Sequence, residues 1–437
     1  MEDRLGWTRA VPGSLVLWPH WTRFAAASRR DGFDRVLVCG MGGSALAPAV
    51  LARSFVAAGV DVLDSTDPAA VAHAEQAHPL DRTLFLIVSK SGSTVETMAA
   101  YHYFAARARP GQFVAVTDPG SPLERLARER EFRGLFPHPA DVGGRYAALT
   151  VVGMLPAALA GIDGATLLER AARTDAEAAR AFGRTLGVAA VAGRNKLALR
   201  PPPSVASLAS WIEQLVAESS GKDGSGVVPL VGNGDGDGGD VQVVREFSAD
   251  PLDLGREFLR WEYATWELCR QLGVNAFDQP DVEAAKTLAR AELAAPPGAA
   301  REAPPTMSPD ELRRAARPGD YLALLAYLPP REDVAAGLAG VRQAWGNALG
   351  IVSTVGFGPR YLHSTGQLHK GGPNTGLFLV VTADAAHDLE IPAMGTTFGQ
   401  LQRAQAMGDI RALLARGRRV CHVHLRRPED VAELERL

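Results

Sequence analysis

Cysteine is nearly absent: Cys39, Cys269 and Cys421 are the only three in 437 residues, and they lie far apart. That scarcity excludes a disulfide framework and suits buried thiols in a reducing cytosol. Charge of one sign is lacking too. The formal net charge is −3, and no long basic block interrupts the chain, which argues against a nucleic-acid surface and means that an anionic substrate must be caught by local groups. No uninterrupted apolar run reaches membrane-spanning length, and the opening Met-Glu-Asp-Arg-Leu lacks the shape of a signal peptide. The expectation is a soluble cytoplasmic protein without a membrane partner. Its length exceeds what one core usually fills, so two domains are expected.

Against these absences stands one dense stretch, Phe85-Leu-Ile-Val-Ser-Lys-Ser-Gly-Ser-Thr-Val-Glu-Thr97. The apolar run over 84–88 reads as a strand buried on both faces, followed by a tight loop and a helix start near Val95. Ser89, Ser91, Ser93 and Thr94 set hydroxyls beside free backbone N–H groups at the positive end of a helix dipole. Lys90 adds a full charge, and a phosphate would be held there. Walker spacing is missing, because the loop sits directly on the strand, which fits one monoester phosphate better than a triphosphate. An ordinary N-cap box, Ser93-x-x-Glu96, is the plainer reading of the same residues and is compatible with it.

Strand and helix patterns alternate around this stretch: a strand from Arg35, a glycine turn and a helix to about residue 58, a strand over 60–64, a strand over 112–117 and a helix over 122–130. A lead-in with Trp7, Trp18 and Trp21 precedes them and is expected to pack against the body. Helical, alanine-rich sequence over 149–191 carries the chain away to a break at Pro201-Pro-Pro, a helix over 205–220 and a strand over 226–231. Strand patterns return over 321–327, 350–355, 377–381 and 419–423, with helical windows over 332–349 and 398–417. Such alternation predicts an α/β fold with two doubly wound parallel sheets whose halves face one another across a cleft. The run from Gly232 to Asp240 has the wrong register for a calcium loop and reads as a solvated turn. The segment 294–305, rich in proline and glycine, reads as a surface excursion.

Five constellations carry candidate chemistry. Gly40-Met-Gly-Gly-Ser-Ala45 matches the relaxed dinucleotide fingerprint, a weak signal alone; Gly43 and Ser44 suit a sugar hydroxyl or phosphate oxygen approaching closely. Asp141-Val-Gly-Gly-Arg-Tyr146 places Arg145 at a helix start, from which its guanidinium could stabilise an enediolate; a surface salt bridge is the alternative. In Trp211-Ile-Glu-Gln-Leu-Val-Ala-Glu218, Gln214 and Glu218 share a helix face. Glu218, near the negative end of the dipole, is a candidate base for proton abstraction beside a carbonyl; Glu213 reads as a solvent-facing charge. Asn275-Ala-Phe-Asp-Gln-Pro-Asp-Val-Glu-Ala-Ala-Lys286 sets Lys286 one turn past Glu283, where an ordinary solvated pair is the plain reading. Tyr361-Leu-His-Ser-Thr-Gly-Gln-Leu-His-Lys-Gly-Gly372 puts His363 and His369 in a loop of small residues, which suits acid/base work or substrate contact. No third ligand stands at zinc spacing, so no metal is expected.

Together these motifs resemble the phosphoglucose isomerase family, built from two sugar-isomerase domains. The wording of the histidine loop is similar to the isomerase half of bacterial transaldolase-isomerase fusions, although no transaldolase portion is present in these residues. The resemblance implies α-β-α sandwich domains at 1–195 and 196–437. It implies reversible conversion of glucose 6-phosphate and fructose 6-phosphate without cofactor or metal, by a homodimer whose sites are shared between subunits. Action on mannose 6-phosphate as well, or a non-catalytic sugar-phosphate-binding module, are the alternatives. Carried over by residue, Glu218 is the base that shuttles a proton through a cis-enediol. Ser89, Lys90, Ser91 and Thr94 bind phosphate, Gly43 and Ser44 the sugar, Arg145 the enediolate, and Gln214 positions substrate. Ring opening falls to Lys286 and to a histidine from the neighbouring subunit, best matched by His363 and next by His369. Two departures stand out: Asp281 replaces a usual glycine, and the histidine motif follows the lysine motif instead of preceding it.

Overall fold

The computed structural model describes all residues except 1–3, 58, 233–237 and 294–302, so most of the Gly/Asp run and of the proline-rich excursion lies outside the described residues. Five parallel strands, β1 (Arg35–Gly40), β2 (Val60–Leu63), β3 (Thr83–Val88), β4 (Phe113–Thr117) and β5 (Gly134–Pro137), form a sheet in the order β2-β1-β3-β4-β5. Its sides differ by the two-residue period of a strand. Val36, Val38, Leu84, Leu86 and Val114 enter one core, and Leu37, Cys39, Phe85, Ile87 and Phe113 the other. Burial on both faces is why these strands read as unbroken apolar runs.

Three short strands follow, β6 (Lys196–Leu199), β7 (Val228–Val231) and β8 (Val241–Val244), parallel in the order β7-β6-β8. The last sheet holds β9 (Tyr321–Tyr327), β10 (Val352–Phe357) and β11 (Gly376–Ala383). After a two-stranded antiparallel ribbon, β12 (Glu390–Ile391) and β13 (Thr396–Thr397), β14 (Arg419–Leu425) completes the order β10-β9-β11-β14. β7 and β10 lie against each other, so the two smaller sheets adjoin edge to edge. Here too, Tyr321, Ala323 and Leu325 face one core while Leu322, Leu324 and Ala326 face another. The order β10-β9-β11-β14 repeats β2-β1-β3-β4: in each, the chain steps to one side of its first strand and then crosses to the other. The expected doubly wound α/β architecture is therefore present.

Some local readings change. The alanine-rich stretch over 149–191 is three helices, Val151–Ala160, Gly164–Ala171 and Ala176–Val191; the first stops where Gly161 turns left-handed at φ 77°, and the other two start on the Asp163 and Asp175 caps. β5, β6 and β8 were not anticipated. Each is only four residues long, and β6 opens on Lys196, a buried ammonium held by Asp240 and the Gly319 carbonyl. Trp7 and Trp21 are buried, as a packing role requires, and Trp7 stacks obliquely on Tyr146 with centroids 5.3 Å apart. All three cysteines are buried and free, and burial pushes the Cys39 thiol up to about 12. Among the described residues, no helix is long and apolar enough to cross a membrane.

Candidate active site

β1 and β3 are neighbours from which the chain departs to opposite sides, so a crevice opens beyond their carboxyl ends. Both candidate loops lie there. After β1, Gly42 adopts φ 53°, and the helix Gly43–Ser54 begins. A side chain at Gly43 would overlap the Gly144 carbonyl, so only glycine lets the Gly143-Gly144-Arg145 turn lie against this helix start. Arg145 sits in a single short turn, Gly144–Tyr146, not at the head of a longer helix.

After β3, the Ser89 hydroxyl lies 3.0 Å from that of Thr94, and Ser91 Oγ 3.1 Å from Ser93 Oγ. Thr94 is the residue that precedes the helix Val95–Ala105, and the expected Ser93/Glu96 capping box does not form. Glu96 turns instead toward His363. Lys90 also departs from expectation: its ammonium lies 2.7 Å and 3.0 Å from the Asp118 oxygens and 3.2 Å from the Ala140 carbonyl. Its charge is therefore already countered. Burial alone would raise the Asp118 carboxyl, but hydrogen bonds from His138 and Lys90 outweigh it and hold the carboxyl below its ordinary value.

The helix Leu208–Ser220 carries Gln214 and Glu218 one turn apart on a buried face. Glu218 receives Arg145 Nη1 at 3.0 Å through one oxygen and Gln214 Nε2 at 2.9 Å through the other. Both charged side chains are almost wholly shielded from solvent, with exposures of 5% and 9%. Arg145 is fixed at its remaining edges, donating to Ser219 Oγ at 2.8 Å and to the carbonyls of Ala276 at 2.6 Å and Asp278 at 3.1 Å. A guanidinium thus faces the candidate base with its plane already set. Lys222 reaches the same Asp278 carbonyl at 2.7 Å, and burial lowers its pKa, with Arg145 adding to the effect.

His363 belongs to the same chain as these groups, whereas the resemblance implies a histidine from the neighbouring subunit. Gln214 Nε2 donates to the His363 carbonyl at 2.8 Å, and His363 Nε2 lies 2.9 Å from Glu96 Oε1. Gln405 Nε2 donates to that same oxygen at 2.7 Å, and Thr66 holds Gln405 in turn at 2.8 Å. Burial pushes the Glu96 carboxyl up, but the charge and hydrogen bond of His363, with Lys286 adding to them, more than offset this and keep it below the usual carboxylate range. Glu96 and Gln405 escaped the sequence reading: the first looked like a helix cap, and the second lies in a helix 309 residues further on.

One cavity of about 510 Å³ collects these groups. Gly43, Ser44, Lys90, Ser91, Thr94, Arg145, Gln214, Glu218, Lys286 and His363 all line it, together with Glu96, Asp118 and Gln405. Glu283, the residue whose spacing would pair it with Lys286, has a side chain outside the described residues. Ser89 and His369 are not on the wall. Ser89 stands behind Thr94, and the His369 ring is buried among Tyr321, Tyr361 and Phe378, where burial drives its pKa well down. Glu213, read as a solvent-facing charge, is half-buried; burial raises its carboxyl to about 7, only partly offset by Arg360.

Residues 26–182 match the family model for phosphoglucose isomerase. A glucose-6-phosphate isomerase of Rubrobacter xylanophilus is 34% identical over 258 residues, covering 52% of this chain and 60% of the relative. One of Thermus thermophilus is 32% identical over 275 residues, covering 56% and 66%, and a probable one of Haloquadratum walsbyi is 33% identical over 224 residues, covering 47% and 52%. The matches thus span between half and two thirds of these relatives' length. In fold, the chain is similar to the crystal structure of a glucose-6-phosphate isomerase from Chlamydia trachomatis, with a TM-score of 0.54 at 19% identity over 67% of this chain and 75% of that one. Through residues 26–182, the chain is similar to the phosphoglucose isomerase family and to these glucose-6-phosphate isomerases.

Proposed function

We propose that this protein is a glucose-6-phosphate isomerase, acting in the cytoplasm on the open chain of its substrate. The observation that carries the proposal is the sharing of one cavity by the Ser91 and Thr94 hydroxyls and by a carboxylate, Glu218, braced between Arg145 and Gln214. With the phosphate on the serine loop, Glu218 takes the C2 proton of the aldose while the carbonyl oxygen gains one, giving a cis-enediol. It returns the proton to C1 as the O2 proton leaves. Arg145 offsets the negative charge that develops on the enediolate oxygens. His363, backed by Glu96, and Lys286 open the ring by moving a proton between the ring oxygen and the anomeric hydroxyl. Proton shuttling between neighbouring carbons needs one base and a cation at the oxygens, and this wall offers both.

A homodimer is part of the proposal, but His363 reaches the cavity within its own chain, so pairing of subunits is not needed to supply it. The test is a coupled assay on Glu218→Gln. Turnover of glucose 6-phosphate should vanish while sugar-phosphate binding, read by protection against thermal unfolding, persists. A fully active Glu218→Gln variant ends the proposal.

A further inference from the structure

Glu218, Lys286 and His363 come from three segments remote in sequence, and one side chain on the His363 segment touches the other two. Gln367, in the helix Gly366–Gly371, is wholly buried. Its Oε1 accepts the Asp281 N–H at 3.0 Å, at the start of the helix Pro280–Leu293 that carries Lys286. Its Nε2 donates to Asp281 Oδ2 at 2.7 Å and to the carbonyl of Gly221 at 2.9 Å, three residues beyond Glu218. Both amide hydrogens and the amide oxygen are thereby used. The other Asp281 oxygen is bound by Arg416, just past the helix Phe398–Ala415. Gly371 makes room, since a side chain there would overlap Asp281 Oδ2, and its carbonyl accepts the Gly224 N–H at 2.9 Å, a second tie between the same loops.

We infer that Gln367 is a positioning residue: its amide locks the end of the Glu218 helix, the start of the Lys286 helix and the His363 loop together, so that the three groups meet in one cavity. The inference rests on the isomerase reading and deepens it. An amide suits the place because it accepts from a backbone N–H while donating to a carboxylate and to a carbonyl. The departure at Asp281 acquires a reason, because a glycine there would offer the Gln367 amide no carboxylate. The changed motif order acquires one as well: the lysine helix and the histidine loop, exchanged in sequence, are joined directly by this amide.

Gln367→Glu keeps size and shape but sets an oxygen against Asp281 Oδ2 and against the Gly221 carbonyl. Small displacements at a reacting centre cost up to about a hundredfold in rate. In Gln367→Glu, kcat for glucose 6-phosphate should fall at least tenfold. KM should stay within about threefold, because the serine loop stands on the other sheet. Adding Asp281→Asn returns a donor to the new carboxylate, and the double variant should regain at least about threefold in kcat over Gln367→Glu. A kcat within twofold of the parent, or losses that simply multiply in the double variant, would overturn the inference. If Gln367→Glu does not fold, Gln367→Met, which removes all three bonds at similar size, decides alone: a tenfold lower kcat at unchanged KM supports the lock, and an unchanged kcat refutes it. An active Gln367→Glu beside an inactive Glu218→Gln removes only this inference, whereas an active Glu218→Gln removes the isomerase reading itself.

Discussion

Replacing Arg145 by methionine tests the pair at the centre of the site. At 3.0 Å from Glu218, and with an effective dielectric constant near 20, the attraction between the two charges is about 5 kcal/mol before desolvation is subtracted. Burial of both partners removes much of that, yet breaking one side of a buried pair costs about 3–5 kcal/mol, because the remaining charge is left without its partner. Arg145→Met also loses bonds to Ser219, Ala276 and Asp278. The single variant therefore overstates the pair. In a Glu218→Gln background those losses recur while the charge interaction is already gone, so the difference between the two measurements isolates it. Urea unfolding of the parent, both single variants and the double variant at pH 7 should give a coupling of about 2–3 kcal/mol. Turnover of Arg145→Met should fall by about a hundredfold to a thousandfold, the loss typical for removal of an oxyanion donor. A coupling below about 0.5 kcal/mol would show that the two charges do not sense each other in solution and would refute the geometry.

Asp118→Asn should strengthen sugar-phosphate binding, lowering KM by about threefold to tenfold, since it releases Lys90, now 2.7 Å from the carboxylate, toward the ligand; an unchanged or higher KM would show that Lys90 does not meet the phosphate. Glu262 is fully buried, neither carboxylate oxygen has a partner, and burial raises its pKa well above the ordinary value. The unfolded chain releases the Glu262 proton above about pH 4.3, before the folded protein does, so stability falls as pH rises from that value until the folded protein releases it too. Glu262→Met should remove the loss of stability that begins as pH rises above about 4.3 in denaturant titrations, and parallel pH dependences for parent and variant would refute it.

Physical scale separates what was legible from what was not. The strands at β1, β3, β9 and β11 announced themselves because burial on both faces demands apolar residues at every position, a local signature. The loops after β1 and β3 were legible for a similar reason, since glycine and clustered hydroxyls at a strand end have few other uses. β6 resisted reading because it starts on a buried lysine whose partner, Asp240, lies 44 residues away. Glu96 looked like a helix cap until the fold brought His363 across 267 residues. Lys90 looked like a free charge until Asp118 came within 2.7 Å.

The sequence by itself determined the two repeated sheets, the chemical types gathered at the candidate site and the choice of Glu218 as the candidate base, because strand period, helix period and turn chemistry act over a few residues. Tertiary structure alone decided which charges neutralise one another, that His369 belongs to a core while His363 faces the cavity, and that the amide of Gln367 ties three distant segments together. Those outcomes depend on separations of about 3 Å between residues far apart in the chain, and no local pattern records such distances.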